Sequence, residues 1–166
     1  IRQVSDLYHA QDPRVAFGLS LDPQASLLEA DQGRIRQLLN NLLTNSLEAL
    51  DGRENPVIMI ETKRSGGQVS LVVIDNGPGV DRDERERIFE SFYQGKAPPG
   101  GRVKGSGLGL AIARDYALAH GGRIEVRDRA DGQRGACFRL TLPLASSVVA
   151  PTVQGAPTSI PVASPK

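Results

Sequence analysis

An acid and two glycines, Asp75, Gly77 and Gly79 in DNGPGV, stand directly behind the apolar run VSLVVI. Asn, Gly and Pro suffice for a tight turn there, since Asn and Gly tolerate positive φ and Pro pre-sets its own. A turn does not by itself need the acid. A second set lies upstream in NNLLTNSLEAL, where Asn41, Asn45 and Glu48 are spaced i, i+4, i+7 and would share one flank of a helix. Asn is a poor helix former, and Lys, Gln or Glu would serve a solvated flank better. Either the two amides bridge backbone groups locally, or their oxygens ligate a hard cation such as Mg²⁺, which takes oxygen donors and keeps waters and phosphate oxygens.

The third set is GSGLGL. Gly105, Gly107 and Gly109 precede an apolar-periodic helix, so unshielded N–H groups at its N-terminus could receive phosphate oxygens. Two commoner phosphate motifs do not fit. A G-x-G-x-x-G fingerprint would need Gly at 110, which is Leu, and a strand where APPGGRVK stands; a Walker loop would need the Lys of GRVKGSG on the other side of its glycine.

The elements that must position these residues are readable from periodicity. Residues 15–22, 56–64 and 69–75 have the β-branched richness of strands, with SGG as the turn between the last two. Residues 122–128 and 136–144 look like an antiparallel pair around RADGQRG. Helices are expected over 31–50, over a short stretch at 81–88, and over 108–120. In the first, Ile35, Leu38, Leu39, Leu42, Leu43 and Leu50 follow the helical period and form the stripe that packs on a sheet, with Asp31 as N-cap. The order is α+β, with strands and helices in two layers.

A chain of 166 residues fits one compact domain with a sizeable core. Its 20 basic and 19 acidic residues nearly cancel, which leaves no electrostatic case for nucleic acid or an anionic membrane. One cysteine, Cys137, excludes an internal disulfide, and no apolar run is long enough to cross a bilayer. IRQVSDLYHA has neither the basic start nor the apolar stretch of a signal peptide, so a cytoplasmic domain is expected. The absence of an initial Met suggests a piece of a longer protein. The stretch 146–166 is rich in Pro, Ser, Ala and Val, carries almost no charge, and is expected to be disordered.

Four segments in one order resemble a known family. NNLLTNSLEAL is similar to the N box, DNGPGV to the first Gly box, RIFESFY to the F box and GSGLGLAI to the second Gly box of sensor histidine kinases. These kinases share the GHKL superfamily with gyrase, the heat-shock chaperone ATPase and the mismatch-repair ATPase. The resemblance covers residues 15–144 and implies a two-layer α/β sandwich, a mixed sheet of about five strands covered on one face by three helices, with ATP held between helices and a lid.

What it implies for the site follows residue by residue. Asp75 would accept a hydrogen bond from the adenine exocyclic amine, and Gly77 and Gly79 would let the backbone pass close to the purine. Asn45 matches the Asn that ligates Mg²⁺ and Asn41 its neighbour beside the phosphates, these two being the catalytic candidates. Glu48, Val80, Ile88 and Phe92 would join the nucleotide's surroundings, and Gly105, Ser106, Gly107, Leu108, Gly109 and Leu110 would cradle its phosphates. Lys96 and Lys104 lie in the lid, YQGKAPPGGRVKGS, where a cation over the triphosphate would offset its charge. Phe89 and Phe92 would also anchor the base of that lid in the core. Residues 94–102 have little to bury and are expected to be mobile and protease-sensitive until Mg-ATP orders them.

One position separates the branches. In the hydrolytic members and the anti-sigma kinases, a Glu one helical turn before the metal-binding Asn acts as general base. Here that residue is Asn41, and an amide takes no proton near neutral pH. The domain should therefore bind ATP and hydrolyse it slowly, as in histidine kinases, where the acceptor imidazole of another domain is the nucleophile. The chain departs from the family pattern at Glu48, where Lys or Arg is common, and at Gln94, where a basic residue usually follows the F box. NSLEAL points toward the nitrogen-regulation type of sensor kinase. No H box is present: His9 lacks the acid that follows a phosphoacceptor, and His120 in LAHGG ends a helix.

The expected organisation is the end of a dimerisation helix and linker over 1–12, a catalytic ATP-binding domain over 13–145, and a tail over 146–166. The expected activity is transfer of the γ-phosphoryl group of Mg-ATP to a His on a separate dimerisation domain, then onward to a response regulator. The parent would dimerise through that missing domain, the isolated domain being monomeric, and the inner membrane is an anchor open to the parent. Two alternatives stand beside this: a GHKL ATPase or anti-sigma kinase module, which Asn41 opposes, and a nucleotide-binding interaction module without transfer activity.

Overall fold

The computed structural model describes residues 1–27, 31–95 and 106–144. Lys96, Lys104 and Gly105, most of the expected lid and the whole of the 146–166 tail lie outside the described residues. The helices are α1 (Arg2–Gln11), α2 (Gln32–Ala49) and α3 (Gly109–Ala119), and the strands are β1 (Ala16–Leu21), β2 (Val57–Ser65), β3 (Gln68–Asp75), β4 (Arg123–Arg127) and β5 (Cys137–Pro143).

The strands form one open sheet in the order β1-β2-β3-β5-β4. β1 and β2 run parallel, and every other pair is antiparallel. A parallel pair cannot be joined by a tight turn, so its connection must cross over the sheet. Here the crossover is α2, which is why the sheet is mixed and why α2 lies on its face. Ser65 faces Gln68 across the SGG turn, so β2 and β3 are a hairpin of the shortest kind.

Period-two alternation decides what faces α2. Ile58 and Ile60 of β2, Leu71 and Val73 of β3, and Phe138, Leu140 and Leu142 of β5 are all buried in one core with Leu38, Leu39, Leu42 and Leu43 of α2. Each such side chain contributes about 1.5–3 kcal/mol by leaving water. Ile35 is only half-buried, at the border of this cluster. The Asp31 carboxylate caps α2 by accepting from Gly33 N at 2.8 Å and Arg34 N at 3.1 Å. α3 turns Ala111, Ala113 and Ala117 inward, and these small side chains let it lie close against the core beside α2. α1 packs on the same layer, with Val4 and Ser5 buried and the Tyr8 hydroxyl 3.4 Å from Asn40 O.

The helix expected over 81–88 does not form. The chain makes a series of turns there and ends in a single 3₁₀ turn, Arg87–Phe89. The segment DRDERERIF has no apolar stripe for a helix to bury, only the adjacent pair Ile88 and Phe89, which one tight turn can present. Its polar side chains are engaged instead. Arg85 Nε donates to Val80 O at 3.2 Å and its guanidinium pairs with Asp128, while Glu84 accepts from the Tyr93 hydroxyl at 2.8 Å. Among the described residues, no helix is long and apolar enough to cross a membrane.

Candidate functional site

β3 ends at Asp75, whose position follows from the register: the same alternation that buries Leu71 and Val73 turns the next odd residue toward the helices. Its side chain is 1% exposed. Oδ1 accepts from Gly77 N at 2.8 Å and from Ala136 N at 3.2 Å, and Oδ2 accepts from the Ser46 hydroxyl at 3.3 Å. Burial pushes the Asp75 carboxyl above the usual carboxylate range; the Gly77 and Ala136 N–H groups, the Ser46 hydroxyl and the nearby Arg129 all pull the other way, and burial prevails. The chemical result is a carboxylate held by neutral donors on three sides. It keeps lone pairs for a further donor.

The flank of α2 beside this acid carries the amides. Asn41 Nδ2 donates to Gly109 O at 3.1 Å, which ties the flank to the first residue of α3. A Cβ on Gly109 would lie 3.3 Å from Asn41 Cγ, so a larger residue there would press on the Asn41 side chain. The Asn45 side chain takes no hydrogen bond among the described residues, and with Asn41, Glu48, Ile88, Gly107, Gly109 and Leu110 it borders a cavity of about 220 Å³. α3 has no side-chain N-cap, and the backbone N–H groups of its first turn stand at the same opening. Anions are favoured at such a terminus by the free N–H groups and the helix dipole.

The F-box segment joins the site through the backbone. Phe92 N donates to Gly107 O at 2.9 Å. Phe89 is 5% exposed and anchors this segment in the core, but Phe92 is 73% exposed, which corrects the expectation that both rings are core anchors. The reason is local: Phe92 has φ of 67°, a turn that brings its N–H onto Gly107 and leaves the ring outside. Val80 packs against the core cluster. A Cβ on Gly77 would meet Asp75 Oδ1 at 2.9 Å and one on Gly79 would meet Gly135 O at 2.9 Å, so both glycines lie against protein atoms. Ser106 and Leu108 stand at the entrance to α3, Ser106 Oγ accepting from Leu108 N at 3.4 Å. The two histidines are engaged with backbone: His9 Nδ1 lies 3.1 Å from Val15 O and His120 Nδ1 lies 2.8 Å from Tyr116 O.

Three hydrogen bonds, Ser46–Asp75, Asn41–Gly109 and Phe92–Gly107, thus join the four sequence segments; the opening itself is bordered by the α2 flank, Ile88 and the entrance to α3, and Asp75 lies buried behind Ser46. Sequence reasoning missed Ser46, although a signal was present, since it is the polar member of the otherwise apolar series Leu39, Leu43, Ser46, Leu50. Arg129 and Ala136, from the β4–β5 connection, carried no such signal.

Residues 30–146 match the protein family described as histidine kinase-, DNA gyrase B-, and HSP90-like ATPase. The chain is 36% identical over 137 residues to sensor protein FixL of Bradyrhizobium diazoefficiens, covering 82% of this chain and 26% of that protein. It is 35% identical over 157 residues to nitrogen regulation protein NtrY of Azorhizobium caulinodans, covering 92% of this chain and 19% of that one. Among solved structures it resembles the catalytic domain of histidine kinase ThkA, with a TM-score of 0.71, 31% identity, and 86% and 90% of the two chains covered. ThkA has also been solved in complex with the response regulator protein TrrA, in a chain that matches with a TM-score of 0.67 and 28% identity and is 39% covered. The chain belongs to the histidine kinase-, DNA gyrase B- and HSP90-like ATPase family, as an ATP-binding catalytic domain of the sensor histidine kinase type. It spans about a quarter or less of the length of those curated relatives.

The Phe92–Gly107 contact can be tested by its steric demand. Gly107 has φ of 69°, and a Cβ there would lie 2.7 Å from Phe92 C and 2.8 Å from Tyr93 O; Gly95 has a similar φ of 65° with nothing within 4 Å. Both Ala variants share the left-handed backbone penalty, so Gly107→Ala should lose about 1–3 kcal/mol more stability than Gly95→Ala in denaturant unfolding. Equal losses would mean that the two segments are not held in contact.

Proposed function

We propose that this domain binds ATP together with Mg²⁺ and donates the γ-phosphoryl group to a histidine on a dimerisation domain outside this chain. The observation that carries the reading is that the Asn41–Asn45 flank and the bare N-terminus of α3 border one opening, with Asp75 buried behind Ser46 of the same helix. The buried Asp75 carboxylate would accept from the adenine amine. The N–H groups entering α3 would receive phosphate oxygens. Asn41, already bonded to Gly109 O, would hold that helix end in place beside them.

The donor set fits a hard cation whose shell is completed by the substrate. Asn45 offers one amide oxygen, and among the described residues no group of three or more His, Cys, Asp or Glu could hold a metal alone. Mg²⁺ accepts this arrangement, since it commonly takes few protein ligands and keeps phosphate oxygens and waters. Bound there, the cation would neutralise charge on the phosphates as the β–γ bridging P–O bond breaks.

Asn41 favours transfer over hydrolysis, because no carboxylate stands one helical turn before Asn45 to deprotonate water. The imidazole nitrogen of the acceptor histidine would bond to the γ-phosphorus while ADP leaves with the bridging oxygen. Onward transfer to a response regulator is supported by the partner of ThkA. ATP as substrate supports a cytoplasmic place for the domain, and the inner membrane is an anchor open to the parent protein.

Two experiments test this reading. Mixed with a separately made histidine-containing dimerisation domain and γ-labelled ATP, the chain should move label onto that domain. Label appearing only as free phosphate would support the ATPase alternative, and tight ATP binding without either outcome would support a binding module. Second, Asn45→Ala should abolish most of the gain in nucleotide affinity that Mg²⁺ confers, read by calorimetry with and without the metal. Binding in chelator and unfolding stability should change by less than about 0.5 kcal/mol, because Asn45 is only half-buried. An unchanged magnesium effect would refute the assignment.

A further inference from the structure

The β4–β5 connection, residues 128–136, takes no part in the four family segments, yet it closes around Asp75. Arg129 Nη1 donates to Asp75 O at 3.3 Å, and its side chain is 16% exposed. The rest of the guanidinium is held by Asp131, with Nε donating to Oδ1 at 3.0 Å and Nη2 paired with Oδ2. Gly135 completes the enclosure. Its φ is 145°, and a Cβ there would lie 2.0 Å from Asp75 O and 2.7 Å from Arg129 Cδ, so no larger residue fits while Arg129 keeps this position. The next residue, Ala136, supplies one of the N–H groups that bind Asp75 Oδ1.

The groups around Asp75 differ in charge. α2 contributes the Ser46 hydroxyl, β2 contributes Ile58 as register partner, and the turn after β3 contributes Gly77. All are neutral. Cys137, next along β5, has its thiol pushed up by burial and is neutral as well. The charged groups are Arg129, and behind it Asp131. The guanidinium bonds the main-chain carbonyl of Asp75 through Nη1 and the Asp131 carboxylate through Nε and Nη2, so the pair turns its positive end toward the residue that carries the buried acid.

The geometry points to Arg129 as a positioning residue that places positive charge beside Asp75 and thereby sets the preference of the site for adenine over guanine. This rests on the reading of Asp75 as the acceptor for the adenine amine. An ionised carboxylate can only accept, which suits that amine and opposes the carbonyl that guanine presents at the same position. A protonated one can donate, and would accept guanine more readily. Burial already raises the Asp75 carboxyl, and Arg129 is among the groups that hold it down. Removing the guanidinium would leave the Asp131 charge facing a buried acid. Like charges raise a carboxyl further.

The test is the ratio of ATP to GTP affinity, measured across acidic to neutral pH for the wild type, R129Q, R129Q/D131N and D75N. The ratio cancels the titration of the triphosphate that both nucleotides share. In the wild type the preference should fall as pH falls through the Asp75 carboxyl. In R129Q that fall should begin at higher pH, and in R129Q/D131N it should return toward the wild-type position, because the uncompensated charge is gone. A ratio in R129Q identical to wild type at every pH would overturn the proposal. So would a double variant no better than R129Q, since that would mean Arg129 acts only by anchoring the loop. D75N distinguishes failure of the underlying reading: if it keeps the full adenine preference, Asp75 does not read the base at all.

Discussion

A carboxylate removed from water without an ion-pair partner at its oxygens is the constraint on which this domain turns. Leaving such a group unsatisfied would cost several kcal/mol. Asp75 therefore recruits donors from three places distant in sequence: Gly77 in its own turn, Ser46 on α2, and Ala136 at the start of β5. Hydrogen bonds to a charged group are each worth about 1.5–3 kcal/mol, comparable with the penalty, and the raised carboxyl shows that burial still prevails. Its contribution to stability is thus present below the ordinary carboxylate range and is lost as pH rises through the raised value. A residue kept under those terms is better explained by what it binds than by what it stabilises.

α2 connects that acid to the rest. One stripe of it, Leu38, Leu39, Leu42 and Leu43, fills the core against β2, β3 and β5. Ser46 continues the same inward series and ends on Asp75 rather than on a strand. One residue before it, Asn45 points the chemistry to the flank, and one turn earlier Asn41 fixes the entrance of α3. The crossover that a parallel β1–β2 pair requires therefore also sets the spacing between the acid, the amides and the N-terminus of α3. A shift of α2 by one residue would move Asn41, Asn45 and Ser46 together, away from Gly109 and Asp75.

The strands and the two long helices were legible in the sequence because local periodicity decides them: period two in β2 and β3, and the leucine stripe in α2. The segment 81–88 was not. Its charges are satisfied by Val80 O, Asp128 and Tyr93, partners that only the folded chain brings near, and without an apolar stripe the helical pattern had nothing to bury. Phe92 misled for a related reason, since a positive φ at a non-glycine residue leaves no mark in composition. In the site, Asp75, Asn41, Asn45 and the glycines of the second box were visible through family resemblance, whereas the Ser46 and Arg129 contacts to Asp75 span 29 and 54 residues and depend on pairing that no local pattern encodes.

The claim that the buried acid reads the exocyclic amine of the base can be isolated by changing the ligand alone. Calorimetric affinities of the unmodified domain for ATP and for purine riboside triphosphate, which lacks that amine, differ by one hydrogen bond donor. A charge-assisted bond of about 1.5–3 kcal/mol corresponds to roughly ten- to two-hundredfold tighter binding of ATP. Equal affinities for the two nucleotides would contradict the account, and would leave Asp75 as a costly closure of a turn.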